Sequence, residues 1–200
     1  MSYFLHLQKD KKLVPVLQKP MPALKCRKNI PLRLMAGIMS QQLNSRVAEV
    51  IYKRFLLLFD GKEPSAQQVL STNFEILRGI GLSNAKVNYL HNVALFCIEN
   101  NITDKQLKAL SNEEIIHLLT QIKGVGRWTV EMLLMFTPGR EDVFATDDLA
   151  IQNAMAHLYK LDNVDKKIFR QKIIRISAKW KPYRTYACLH LWHWKDNAPV

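Results

Sequence analysis

Two stretches of the 200-residue chain carry residue types that could do chemistry. In Ile122-Lys123-Gly124-Val125-Gly126-Arg127-Trp128-Thr129, two glycines stand between two cations. A turn of this kind that opens a helix presents backbone N–H groups without intrahelical partners, and these can hold a phosphate. Lys123 and Arg127 would add positive charge beside it. The same turn can equally be a tight connection that binds nothing. It is neither a dinucleotide fingerprint nor a P-loop, because no strand precedes it, no third glycine stands at the required spacing and no Gly-Lys-Ser/Thr follows. The second stretch is the acidic pair Asp147-Asp148, just ahead of a helical run that starts at Leu149. A carboxylate there can cap the helix, or it can stabilise developing positive charge and handle a proton.

The elements that must position these residues read as helices. Ser111 and Glu114 are placed as a capping box, and Ile115, Ile116, Leu118, Leu119 and Ile122 recur at helical spacing. After Gly126 a second helix runs from Trp128 to Phe136, apolar nearly all round and so expected to be buried. Only Lys123-Gly124-Val125-Gly126 joins the two, which calls for backbone with φ > 0. Upstream, Pro31 suits a helix start, with the helix running to about Ser40 and Gln41-Gln42-Leu43-Asn44 after it. A long amphipathic helix then sets Val47, Val50, Ile51, Phe55 and Leu58 on one face, and Leu43 could simply open that face. Asp60 to Pro64 is a loop, Ser65 and Gln68 form a second capping box, and Thr103 with Gln106 caps a short helix. Leu77-Arg78-Gly79-Ile80-Gly81-Leu82-Ser83 is a second Gly-x-Gly turn, mainly structural, before a helix from about Asn84 to Glu99, with Lys86 a candidate phosphate contact. Lys166, Lys167, Arg170, Lys172, Arg175 and Lys179 lie on a basic helix whose apolar faces come from Ile168, Ile173, Ile174 and Ile176. Residues 1–30 are the least patterned. Tyr3 to Leu7 and Leu13 to Leu17 read as short helices, and Lys19-Pro20-Met21-Pro22 breaks what precedes it. No segment shows sustained period-two alternation, so the expected fold is all-α.

The chain has 29 Lys plus Arg against 17 Asp plus Glu, a net charge of +12. Either a solvated surface or a polyanionic partner accounts for that, and the compact length favours the partner. Cys26, Cys97 and Cys188 are too few and too scattered for a disulfide framework or a Cys₄ cluster. No apolar run approaches the roughly 18 residues of a membrane span, and Met1-Ser2-Tyr3-Phe4-Leu5-His6 lacks the pattern of a signal peptide. A reducing compartment and no secretion are the expectation.

The glycine turn resembles the hairpin of the helix-hairpin-helix DNA glycosylase superfamily, in which an essential Asp follows after a second helix and a short loop. Here Val143-Phe144-Ala145-Thr146-Asp147-Asp148-Leu149-Ala150-Ile151 stands at that place. The C-terminal Trp180-Lys181-Pro182-Tyr183-Arg184-Thr185-Tyr186-Ala187-Cys188-Leu189-His190-Leu191-Trp192 is similar to the 3-methyladenine DNA glycosylase II branch, the alkylation-repair type. The resemblance runs from about Pro31 to Trp194, in a compact form without the branch's extra N-terminal domain. It implies one glycosylase unit over 1–200 made of two helical lobes, with a DNA-binding and active-site cleft between them, the hairpin at about 112–136 and a segment 1–30 of open role. The implied partner is double-stranded DNA with alkylated bases, bound by a monomer. No cofactor and no iron–sulfur cluster are expected. The compartment would be cytoplasm or nucleoid in a prokaryote and the nucleus in a eukaryote.

Residue by residue, the resemblance makes Asp148 the catalytic carboxylate, since it opens a helix with an apolar residue three positions on, while Asp147 falls one residue early as a cap or an anchor. Gln41-Gln42-Leu43-Asn44 resembles the wedge loop, with Leu43 filling the gap left by an extruded nucleotide and Gln41 or Gln42 touching the opposite strand. Lys123, Gly124, Val125, Gly126, Arg127 and Thr129 would grip the DNA backbone, with Lys181 and Arg184 nearby. Trp128 and Trp192 would hold the base, and the positions of Met132 and Leu149, aromatic in better-known relatives, make the pocket softer. Strand-cutting members place a Lys after the residue matching Arg127 and form a Schiff base. Trp128 stands there instead, so water should be the nucleophile. The hairpin carbonyls near Gly124 and Gly126 could hold a monovalent cation, and no catalytic metal is expected even though His190-x-x-His193 has one weak zinc-like spacing. A non-catalytic DNA-binding module, or a glycosylase for oxidised or deaminated bases, is the alternative.

Overall fold

A computed structural model describes residues 2–196. In chain order its helices are α1 (Ser2–Leu7), α2 (Ile30–Ser40), α3 (Ser45–Leu57), α4 (Ala66–Ser71), α5 (Phe74–Gly79), α6 (Asn84–Glu99), α7 (Asp104–Ala109), α8 (Asn112–Leu119), α9 (Arg127–Phe136), α10 (Leu149–Tyr159), α11 (Lys166–Ser177) and α12 (Arg184–Asp196). Short 3₁₀ turns cover Val14–Val16 and Ala178–Trp180. The described residues contain no strand, so the chain is all-α. No helix among them is long and apolar enough to cross a membrane. The helices sort into two compact units, one from Cys26 to Leu133 and one joining Met1–Lys25 to Leu134–Val200.

In the first unit α6 packs on α2 and on α4. Leu34, Ile38, Phe55, Val69, Leu90 and Val93 are fully buried there. The start of α2 is fixed from two directions. Asn29, with φ 63°, accepts from the Leu32 amide, and the Asp104 carboxylate accepts from the amides of Asn29 and Ile30 at 2.9 and 3.0 Å. Both expected capping boxes are present, at Ser65/Gln68 and Ser111/Glu114. Helix α3 departs from its pattern. Ile51 and Phe55 are buried, but Val47, Val50 and Leu58 stay exposed, because helical spacing marks which residues share a face and says nothing of how wide a neighbour covers it.

In the second unit α10 packs on α12, and Trp180 is buried. The N-terminal segment belongs here. Asp10 accepts from Tyr159 Oη at 2.7 Å and from Trp180 Nε1 at 3.0 Å, while the Tyr3 ring stacks on Tyr186 at 3.9 Å. Residues 2–25 are therefore structural parts of the C-terminal unit (Met1 lies outside the described residues). In α11 the buried positions are Phe169, Ile173 and Ser177, while Ile168 and Ile174, assigned above to apolar faces, are exposed beside the lysines.

Candidate active site and nucleic-acid interface

Asp148 is the N-cap of α10, and its side chain does two things at once. Oδ1 accepts from the Ile151 amide at 2.9 Å and from Trp192 Nε1 at 3.0 Å. The cap bond belongs to the helix start, whereas the indole comes from α12. One oxygen of the carboxylate is therefore held from two sides and the plane of the group is set. Leu149, the next residue, is 69% exposed, and the Phe136 ring lies 6.1 Å from that of Trp192. Thr146 O, just before the acidic pair, accepts from Gln152 Nε2 at 2.9 Å, which ties the loop down on α10. Asp147 is not the cap. Its carboxylate takes Arg170 Nε at 3.0 Å, which makes it the anchor of the pair.

The hairpin lies in the Cys26–Leu133 unit, between α8 and α9. Gly124 has φ 100°, and a Cβ on it would collide with the ring of Tyr89. Two independent constraints thus demand glycine there: the left-handed backbone and the aromatic ring beneath. Gly126 does not share them, since its φ is ordinary and its Cβ would meet open space. Val125 is buried and donates its amide to Ile122 O, while Asn92 Nδ2 donates to Lys123 O at 3.2 Å. Gly126 O accepts from the Val130 amide. Of the hairpin carbonyls, Ile122 O, Lys123 O and Gly126 O are thus each already acceptors of a hydrogen bond. Among the described residues no group of three or more His, Cys, Asp or Glu could hold a metal.

Helix α9 is not buried all round as its composition suggested. Val130, Leu134 and Met135 are buried, but Trp128 is 40% exposed and Phe136 45% exposed, while Met132 is half-buried. Positions 128, 132 and 136 are four apart and so share one stripe. A helix with apolar residues all round need not bury all of them when no neighbour covers one face.

Two arginines expected on the DNA side are paired with carboxylates of the protein itself. Arg127 makes a bidentate pair with Glu113 at 2.8 and 3.2 Å and reaches the buried Glu131 at 2.9 Å. The Glu113 bond, followed by Glu131, raises its pKa against the opposing effect of burial. Arg184 pairs with both carboxylate oxygens of Asp142 at 2.6 and 3.0 Å. The physical reason is the fork of the guanidinium, which matches a carboxylate as well as a phosphate. Lys123 and Lys181 are exposed.

The wedge loop follows α2. Gln41 Nε2 donates to Thr129 Oγ1 at 3.2 Å, Gln42 adopts φ 58°, and Leu43 is exposed, with its amide on Ser40 O. Asn44 then caps α3 through the Val47 amide. Lys86 is not a surface phosphate contact. Its ammonium donates to Met39 O at 2.9 Å and Gln41 O at 2.8 Å, and burial lowers its pKa from the ordinary lysine value. Sequence reasoning missed this bond and the Trp192–Asp148 bond, since each joins residues more than forty apart with no local signal.

Residues 35–179 match the model of the HhH-GPD superfamily of base excision DNA repair proteins. The chain is 39% identical to a Schizosaccharomyces pombe protein named DNA-3-methyladenine glycosylase 1, over 91% of this chain and 80% of that one. It is 30% identical to a putative DNA-3-methyladenine glycosylase of Bacillus subtilis, over 80% of this chain and 56% of that one. Among solved structures, the Schizosaccharomyces pombe 3-methyladenine DNA glycosylase in complex with abasic DNA superposes with a TM-score of 0.84 at 34% identity, covering 99% of this chain and 98% of that one.

Proposed function

From a chain that belongs to the HhH-GPD superfamily of base excision DNA repair proteins, we infer a glycosylase that hydrolyses the N-glycosidic bond of alkylated purines in double-stranded DNA and leaves an abasic site. The observation that carries this reading is the Asp148 carboxylate, held on one oxygen by the Ile151 amide and the Trp192 indole. Breaking the bond between C1′ and the base nitrogen sends the electron pair to the base, and the sugar takes on oxocarbenium character. A fixed carboxylate stabilises that charge without reorganising. Water then adds at C1′, and its proton passes to Asp148 or to solvent. A purine alkylated at a ring nitrogen carries positive charge and departs neutral, so it needs little acid catalysis. Trp128 offers no amine at the position where strand-cutting relatives carry Lys, so no Schiff base forms and the strand stays intact. Its exposed indole face suits a cationic base by about 1–2 kcal/mol.

The Lys123–Thr129 turn grips the DNA backbone, and Leu43 occupies the space vacated by the extruded nucleotide. With Gln41 engaged on Thr129, Gln42 is the amide that faces the opposite strand. The protein works in whichever compartment holds the genome. The names of the relatives support 3-methyladenine as the lesion to try first, and 7-methylguanine, also alkylated at a ring nitrogen, comes second. The test is chromatography of free base released from methylated duplex, with the DNA strand sized before and after alkali. Release with strand breaks only after alkali supports the reading. Release from oxidised DNA with direct strand cleavage would overturn it in favour of a lyase, and no release from methylated, deaminated or oxidised duplex would leave a binding module.

A further inference from the structure

The proposed function does not use Lys86, yet Lys86 is the residue that fixes the loop bearing Leu43. It stands in the first turn of α6, where the helix dipole disfavours a cation. It does not serve that helix. Its ammonium crosses to the C-terminal end of α2, where the last carbonyls lack intrahelical partners and the dipole favours positive charge. There it takes Met39 O and Gln41 O together, at 2.9 and 2.8 Å. Met39 lies in the last turn of α2 and Gln41 is its C-cap, so the two carbonyls bracket the point where the chain leaves the helix. The next residue, Gln42, is forced into the left-handed region with φ 58°, and Leu43 follows, exposed. On the other side Gln41 Nε2 is bound to Thr129 Oγ1 in the first turn of α9, directly after the hairpin. The loop is therefore clamped to the starts of α6 and α9, and only Gln42 and Leu43 project from the clamp.

We propose that Lys86 is a positioning residue that presets this loop, so that Leu43 enters the duplex from an already ordered backbone. The inference rests on the glycosylase reading and on Leu43 as the inserting residue. An ordered loop loses little conformational freedom on insertion, and such preorganisation is what a partly buried ammonium bound to two carbonyls provides. An aliphatic residue at position 86 would leave both carbonyls without this donor while keeping the packing of the side-chain stem.

The test is a double-mutant cycle of Lys86→Met and Leu43→Ala on the full chain, read in two ways. Fluorescence of 2-aminopurine opposite a tetrahydrofuran abasic analogue reports insertion without chemistry, and single-turnover release of 3-methyladenine reports the whole reaction. Lys86→Met is expected to lower both the insertion signal and the single-turnover rate about tenfold when Leu43 is present, and less than twofold in the Leu43→Ala background. Equal losses in both backgrounds would overturn the proposal, because they would make Lys86 a general structural residue. Should Lys86→Met fail to fold, Lys86→Arg, which keeps the cation but presents a planar fork to the two carbonyls, runs the same cycle against the same criterion. A wild-type protein that inserts into the analogue but releases no base would sink the proposed function while leaving the clamp intact. One whose Leu43→Ala variant inserts as well as wild type would sink the clamp.

Discussion

Replacing Asp148 by Asn separates the two roles of this side chain. Asn ranks with Asp as an N-cap, and its Oδ1 can accept from the same two donors, the Ile151 amide and Trp192 Nε1. The start of α10 and the tie to α12 should survive, so the unfolding midpoint should stay within the shift that about 0.5 kcal/mol produces. The charge is lost. A full negative charge about 4 Å from an oxocarbenium carbon, at an effective dielectric constant of about 20, contributes roughly 4 kcal/mol. That corresponds to about a thousandfold in rate. Asp148→Ala should show the same loss of rate and in addition melt lower, since it deletes the cap, at about 1 kcal/mol, and leaves the Trp192 indole without this acceptor. Thermal unfolding of both variants, beside single-turnover release of 3-methyladenine, reads both quantities. An Asn variant that keeps more than a tenth of the wild-type rate refutes the electrostatic role. An Asn variant that melts as low as the Ala variant refutes the claim that the cap geometry survives.

Trp192→Phe keeps a ring on α12 but removes the donor at 3.0 Å from Asp148; the single-turnover rate should fall about tenfold, with affinity for an abasic analogue nearly unchanged in a titration. His190 is buried and its pKa is lowered to about 4, by burial first and then by His193. Because its folded pKa lies below the unfolded value near 6.5, its contribution to stability is present above about pH 6.5 and is lost as pH falls toward 4; equilibrium denaturation should show a loss of about 3 kcal/mol over that range, reduced in His190→Phe. Gly124→Ala should destabilise by well over 1 kcal/mol in denaturant titrations, since it meets both φ 100° and the Tyr89 ring. Gly126→Ser, where a Cβ meets open space, should fold as well as wild type yet bind duplex about tenfold more weakly in fluorescence anisotropy, because its hydroxyl would take the Thr129 amide from a phosphate.

What was legible in the sequence was whatever is written locally. The capping boxes at Ser65/Gln68 and Ser111/Glu114, the span of α6 from Asn84 and the start of α10 at Leu149 all follow from residues within one turn of each other. What stayed hidden was decided at long range. The charge of Arg127 is absorbed by Glu113 fourteen residues earlier, and that of Arg184 by Asp142, forty-two residues away. A basic side chain near a site does not announce whether a phosphate or a carboxylate will take it. The docking of the N-terminal segment on the C-terminal one, through Asp10 and Tyr3, was equally invisible, because each of those residues gains a partner only once the fold exists. Helix α9 shows the opposite failure. Its composition predicted burial, and the stripe of Trp128, Met132 and Phe136 shows that apolar content records the need for a partner without naming the partner.

The two glycine turns of the Cys26–Leu133 unit show how one backbone device reaches two ends. Gly81 and Gly124 both take a left-handed φ, 106° and 100°. Each is followed by a buried aliphatic residue, Leu82 or Val125, and then by the residue that opens a helix. At that third position the turns diverge. Ser83 turns its hydroxyl back onto the Lys86 amide and caps α6 from within. Gly126 brings no side chain, so α9 receives no such acceptor from its own N-cap, and the space above it is open. A stability argument alone would put Ser, Thr, Asp or Asn at both positions. Glycine at 126 gives up that capping bond, and the compensation is close approach: a phosphate can come to the start of α9 with neither a Cβ nor a competing oxygen in its way. The capped turn instead carries Lys86 inward to hold Gln41. On the proposed function, the same local fold would offer its helix start to a phosphate at one place, while at the other its helix carries Lys86 to the protein's own loop, and the two turns differ at that third position by a single side chain, serine or none.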